Sequence, residues 1–139
     1  MSRQLATFVV DGSLFGVDVV RVQEALRWQA RTKVPQAPVA IAGLLNLRGQ
    51  VVLTVDLRVA LGLPPLADDA EPMMVVVRVD GEPVSLLVDE IGDVLDVSDA
   101  QFENPPDTLD PGLRDVVVGV YKLDAGLLLA LDVDRAVAA

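Results

Sequence analysis

Apolar and polar positions alternate through most of this chain with the period of a strand rather than a helix. Leu5 to Val10 is a run of strand-forming residues, and Asp11-Gly12-Ser13 has the chemistry of a hairpin turn. Leu14 to Val20 returns with Leu14, Gly16 and Asp18 on one face and Phe15, Val17 and Val19 on the other, the pattern of a half-buried strand. The period changes at Arg21 to Trp28. There Val22, Ala25 and Leu26 fall at i, i+3 and i+4, which predicts a short amphipathic helical turn with Glu24 on its polar side. Thr32 to Pro38 carries two prolines and reads as extended chain outside any central strand.

The middle of the chain, Pro38 to Arg58, reads as a short helix over Val39 to Leu45, a turn at Asn46-Leu47-Arg48-Gly49 and a strand over Gly49 to Leu57. Gly43 allows close backbone approach. Arg58 to Gly62 is a last helical turn, and Leu66 to Pro72 a polar, exposed linker. The second half opens on a strand, Met73 to Val79, a turn at Asp80-Gly81 and a return over Pro83 to Val88. An acidic series follows (Asp89, Glu90, Asp93, Asp96, Asp99), interleaved with Ile91, Val94, Leu95 and Val97. Asn104 to Leu113 holds three prolines and reads as a surface loop. Val116 to Leu123 and Gly126 to Asp132 form a final hairpin, and Val133 to Ala139 a short helix.

A repeat runs through this order. Gly43-x-x-x-Leu47 with Val55-Asp56-Leu57 matches Gly119-x-x-x-Leu123 with Leu131-Asp132-Val133 at one constant offset. The hairpin around Asp11-Gly12 is echoed less regularly by the one around Asp80-Gly81. Two similar halves of about 65 residues suit small closed barrels, which leave few free edges. The expected fold is all-β with short helices: two packed five-stranded barrels of SH3-like or OB-like kind, in approximate halves 13–66, with swapped strand contributions, and 73–132.

Composition narrows the chemistry. The chain has 139 residues, 52% of them hydrophobic, enough for one domain with a substantial core. It has no cysteine and no histidine, which removes thiolate and imidazole nucleophiles, bases and metal ligands. A net charge of −10 opposes phosphate backbones and anionic lipid, so an OB-like oligonucleotide binder carries the wrong charge and lacks stacking aromatics. No apolar run reaches the ~18 residues of a membrane span, and Asp11 comes too early for a signal peptide. The reading is a soluble cytoplasmic protein with no direct membrane insertion, no nucleic acid and no cofactor.

Few residues then stand out. Arg48 is a guanidinium in an apolar setting, so it is either displayed to a partner from the turn or an ordinary turn arginine. The acidic series is either a carboxylate site for acid–base or metal chemistry or a solvated face, and its spacing matches no calcium loop. Val19, Val22 and Glu24 are either core-flanking residues or the lining of a groove for a partner helix. Trp28 reads as a core or seam anchor, and Lys33 as an exposed lysine.

Several of these segments resemble the CheW domain. Phe8-Val9-Val10-Asp11-Gly12, Phe15-Gly16-Val17-Asp18-Val19 and Val22-Gln23-Glu24 are similar to its start. Val34-Pro35-Gln36-Ala37-Pro38, Ile41-x-Gly43, Asn46-Leu47-Arg48-Gly49 and Val55-Asp56-Leu57-Arg58 look like its central signature. Val88-Asp89-x-Ile91-x-x-Val94-Leu95 and Gly119-x-x-x-Leu123 resemble its second half. Leu53 and Ala25 depart from the family pattern, which often has proline and isoleucine there.

The resemblance implies a non-enzymatic adaptor of bacterial chemotaxis, recruited to receptor arrays at the inner membrane. It would couple the helical hairpin at a chemoreceptor's cytoplasmic tip to the regulatory domain of the histidine kinase CheA. A coupler of a non-flagellar pathway, for pilus motility or another output, is the alternative. By position, Val19, Val22 and Glu24 would line the receptor groove, and Gly43, Asn46, Leu47, Arg48 and Gly49 form the coupling signature. Leu86, Val88, Val94 and Val97 would face the kinase.

Overall fold

The computed structural model describes residues 2–27, 35, 36, 38, 40–64, 66 and 70–138. Trp28, Lys33 and most of the proline-bearing stretch before residue 40 lie outside the described residues. Among the described residues eleven strands come in the order β1 Ser2–Val10, β2 Ser13–Asp18, β3 Val22–Leu26, β4 Ile41–Leu47, β5 Gln50–Asp56, β6 Met73–Val79, β7 Glu82–Val88, β8 Glu90–Ser98, β9 Phe102–Glu103, β10 Val117–Leu123 and β11 Gly126–Leu131. Short helices α1 Leu57–Ala60, α2 Pro111–Arg114 and α3 Val133–Ala138 follow β5, β9 and β11, with 3-10 turns at Val19–Arg21 and Asp99–Gln101.

Two predicted helices are strands. Val22–Leu26 is β3, antiparallel to β6, with a register shift between Val22 and Glu24. Three apolar positions at helical spacing also suit a strand whose period slips at a bulge, and pairing with the apolar β6 decides between them. Ile41–Leu47 is β4, antiparallel to β5, and Gly43 sits at its bulge with φ 141°, a conformation that strains any other residue.

The strands form two sheets. One has the order β8-β1-β2-β11-β10-β9, the other β3-β6-β7-β5-β4. The first therefore has six strands rather than the expected five, because the two-residue β9 adds to its edge. Both sheets curl. β8 and β9 stand at opposite ends of the first sheet yet are joined by the three-residue turn Asp99–Gln101. That connection spans at most ~14 Å, whereas the edges of a flat six-stranded sheet stand ~24 Å apart. In the second sheet Glu24 on edge strand β3 and Arg48, beside the opposite edge strand β4, form an ion pair at 2.6 Å. Flat, those edges would be ~19 Å apart, so this sheet also closes on itself.

The repeat is present residue by residue. β4–β5–α1 and β10–β11–α3 match at an offset of 76 positions, bulge included: the register slips between Ile41 and Gly43 and again between Val117 and Gly119. The Asp56 amide donates to the Ala40 carbonyl and the Asp132 amide to the Val116 carbonyl, both at 2.7 Å. Each aspartate then caps the helix after it, accepting from the Val59 amide at 3.4 Å and the Arg135 amide at 3.2 Å.

Neither sheet is built from one half of the chain alone. Hairpin β1–β2 joins β8, β10 and β11 from the second half, while its counterpart β6–β7 joins β3, β4 and β5 from the first. The joints are parallel pairings, β2 with β11 and β7 with β5. A repeat in sequence reports similar units, and it does not report which unit's hairpin completes which sheet.

Burial follows from the exchange. A shared core draws Phe8, Phe15, Val120 and Leu129 from one sheet and Val55, Val77, Leu86 and Val88 from the other, with Leu57 of α1 and Ala136 of α3 closing it. Each sheet keeps a smaller cluster of its own: Leu5, Val97, Tyr121 and Leu128 in the first, Leu45, Val52, Met74 and Leu87 in the second. On β1, β7 and β11 neighbouring positions supply different clusters, so both faces of these strands are buried.

Phe8 stacks on Phe15 with ring centroids 6.2 Å apart inside the shared core. Truncation there removes contacts that serve both sheets. Phe8→Ala is expected to lower the unfolding free energy by about 3–5 kcal/mol, with a single urea transition whether far-UV circular dichroism or a probe on either sheet is followed.

Candidate functional site

Among the described residues three hairpins turn on a residue at φ 52° followed by glycine: Asp11-Gly12, Arg48-Gly49 and Asp80-Gly81. These are two-residue turns of the kind whose central positions both need positive φ. Aspartate tolerates that conformation, and a long unbranched cation gains nothing from it. Arg48 occupies it nonetheless. The turn is reinforced by Asn46, whose Oδ1 accepts from the Gly49 amide at 3.0 Å. Leu47 is half-buried against the second sheet's own cluster and anchors the hairpin behind its tip.

Arg48 is both displayed and held. Its Nη1 and Nη2 donate to the two carboxylate oxygens of Glu24 at 2.6 and 2.7 Å. The Arg48 side chain stays 71% exposed and that of Glu24 only 18%. The hydrogen bonds from Arg48 are the main reason the Glu24 carboxyl is held below the usual carboxylate range. A bidentate fork fixes the plane of the guanidinium, leaving its outer edge to solvent in a defined orientation. Neither an unattached arginine nor an ordinary turn residue describes it.

The other expected groove residues divide. Val19 is half-buried in the 3-10 turn, and Val22 pairs with Val77 and packs against the shared core. Val20, next to Val19, is 73% exposed, and Val51, which faces Asn46 one rung from the Arg48 turn, is 64% exposed. Strand alternation alone did not single them out, because the same alternation places many valines inward.

The expected kinase-facing set does not form one surface. Leu86 and Val88 lie fully buried on β7 in the shared core, and Val97 is buried in the first sheet's own cluster. Only Val94 is exposed, on β8. Leu86 and Val88 belong to one sheet and Val94 and Val97 to the other, because the chain crosses between sheets at Asp89. The crossover at Asp89 thus separates the two halves of the expected set.

The acidic series is a largely exposed face along β8, with one exception that sequence reasoning missed. Asp89 accepts a fork from Arg58, Nε to Oδ1 at 2.9 Å and Nη2 to Oδ2 at 2.6 Å. The Asp11 amide also donates to Asp89 Oδ2 at 2.8 Å, and Arg58 Nη1 donates to the Pro64 carbonyl at 2.8 Å. Among the described residues no group of three or more acidic side chains is arranged to hold a metal ion. The Arg58 bonds are the first cause holding the Asp89 carboxyl below its ordinary value, against the opposing effect of burial.

A carboxylate depressed in this way stabilises the fold above its unfolded-state value near 3.9, and that stabilisation is lost as pH falls through the lower folded-state value. Asp89→Asn is therefore expected to cost about 2 kcal/mol at pH 7, with the difference from the parent shrinking as the pH drops below about 4. Urea unfolding at a series of pH values measures both.

A family model described as CheW-like domain matches residues 4–139. The chain is 31% identical over 132 residues to the chemotaxis protein CheW of Rhizobium meliloti (strain 1021), covering 95% of this chain and 85% of that protein. It is 29% identical over 129 residues to the chemotaxis protein CheW of Bacillus subtilis (strain 168), covering 93% and 83%. The crystal structure of the scaffolding protein TtCheW from Thermoanaerobacter tengcongensis superposes with a TM-score of 0.83 at 26% identity, over 94% of this chain and 89% of that one. A match across nearly the whole length, on a fold with the same two-sheet organisation, makes this chain a member of the CheW-like domain family.

Proposed function

We propose that this chain is a non-catalytic adaptor that couples the cytoplasmic tip of chemoreceptors to the histidine kinase CheA. Family membership supports a chemotaxis role, and the observation that carries the residue assignment is the Arg48–Glu24 pair. Arginine occupies a turn position that suits aspartate, is oriented by a fork and keeps most of its surface in water. Strained backbone kept at an exposed tip is the kind of local cost that recurs at binding sites.

The receptor's helical hairpin contacts the second sheet at the Arg48 turn. Arg48 sets the polar register, Glu24 orients it, and exposed Val20 and Val51 supply apolar contact. Val19 and Val22 support that surface from behind. Gly43, Asn46, Leu47 and Gly49 act through the backbone by shaping the hairpin that carries Arg48. The kinase's regulatory domain docks on a different face, so each partner is held relative to the other through the shared core. Coupling then requires only that the assembly contact the kinase's active and inactive states unequally. The protein works in the cytoplasm, recruited to receptor arrays at the inner membrane.

Co-sedimentation of the purified chain with receptor-bearing membranes and CheA, with kinase autophosphorylation followed in the pellet, tests this. Arg48→Ala is expected to keep its thermal midpoint close to the parent's, since an exposed pair contributes little to stability, and to lose about tenfold or more in kinase activation. Parent protein that neither sediments nor changes the kinase would overturn the proposal.

A further inference from the structure

Among the described residues the chain passes between sheets at two crossovers, and each is gripped by an arginine–aspartate pair of opposite polarity. At the β7–β8 crossover, Asp89 is held by Arg58 of α1, the helix after β5. At the β2–β3 crossover, Arg21 of the 3-10 turn donates Nη2 to Asp134 of α3 at 2.7 Å, and Nε and Nη2 to the Arg78 carbonyl at 3.0 and 2.7 Å. Arg58 and Asp134 are separated by the same 76 positions as the rest of the repeat. Asp89 and Arg21 stand one residue off the hairpin offset of 69. The two pairs are thus equivalent by the internal repeat, with their charges exchanged. They differ in burial: the side chains are 13% and 17% exposed for Arg58 and Asp89, against 35% and 58% for Arg21 and Asp134. Arg58 also lies 3.5 Å from Asp11 in the β1–β2 turn, so it touches parts of both sheets.

We infer that these two pairs are latches that set the angle between the barrels, and that Arg58 is a positioning residue for coupling; the functional half of this rests on the adaptor reading above. The shared core is apolar, and apolar packing is non-directional. The bidentate Arg58–Asp89 fork fixes direction as well as distance at the β7–β8 crossover, and at the β2–β3 crossover Arg21 bridges Asp134 and the Arg78 carbonyl. The less exposed Arg58 latch carries more of this constraint than the more exposed Arg21 latch. Reversed charges prevent the hairpins from exchanging into each other's place, because Arg58 opposite Arg21 and Asp89 opposite Asp134 would repel.

The absence of native cysteine allows a direct measurement. Spin labels at Val51→Cys in the second sheet and Val118→Cys in the first, both exposed positions, report the inter-sheet distance by double electron–electron resonance. The parent is expected to give one narrow distribution. Arg58→Lys, which keeps the charge and loses the fork, is expected to broaden it, Asp134→Asn to broaden it less, and the exchange Arg58→Asp with Asp89→Arg to narrow it again. An Arg58→Lys distribution as narrow as the parent's in folded protein, or one that the exchange leaves unchanged, overturns the latch. In the membrane assay, Arg58→Lys is expected to bind receptor and kinase separately as the parent does while activation falls about tenfold; undiminished activation overturns the positioning role. Parent protein without any activation defeats the adaptor reading instead, and the distances still decide the latch.

Discussion

Neither barrel can be completed from its own half of the chain. Each takes a hairpin from the other half, and the parallel contacts of β2 with β11 and β7 with β5 are the seams where borrowed and resident strands meet. Everything else follows from that constraint. The shared core exists because the exchanged strands bury both faces. The crossovers must run between sheets, so polar groups are needed there to fix direction, and the two arginine–aspartate pairs occur at those places. The exchanged strands and the shared core pack the two sheets into one body.

The local repeat was legible because it is carried by backbone-shaping residues. A glycine at the bulge, an apolar pair inward and an aspartate that caps the next helix recur at one spacing, and each has one conformational job. What lay beyond sequence reading was which hairpin belongs to which sheet, because the pairing β2–β11 depends on contacts more than 100 residues apart in the chain. The helical reading of Val22 to Leu26 failed for the same reason. Its period is ambiguous by itself, and the partner strand β6 that resolves it lies about 50 positions away.

The candidate site was half legible. Arg48, Glu24 and the turn around them stood out by type and position, and the structure joins them into a single fork. Val22, which the resemblance set in the receptor groove, is half-buried on β3 and packs against the shared core. The apolar second-half positions Leu86, Val88 and Val97 carry no sign of which side of Asp89 faces inward, and all three are buried. Asp89 was hidden among exposed acids, and Arg58 showed only as the end of the Val55-Asp56-Leu57-Arg58 motif. Their complementarity is visible once α1 and the β7–β8 crossover are seen together.

The central claim is that the two barrels form one cooperative unit through the exchanged hairpins. Native-state hydrogen exchange of the full chain across a low-denaturant series measures it most directly. The account predicts that the slowest amides of β1–β2 and β10–β11 and those of β6–β7 and β5 open with one common free energy, equal to that of global unfolding. Opening of one sheet at a distinctly lower free energy, with the other still protected, would contradict it and leave the two faces mechanically independent.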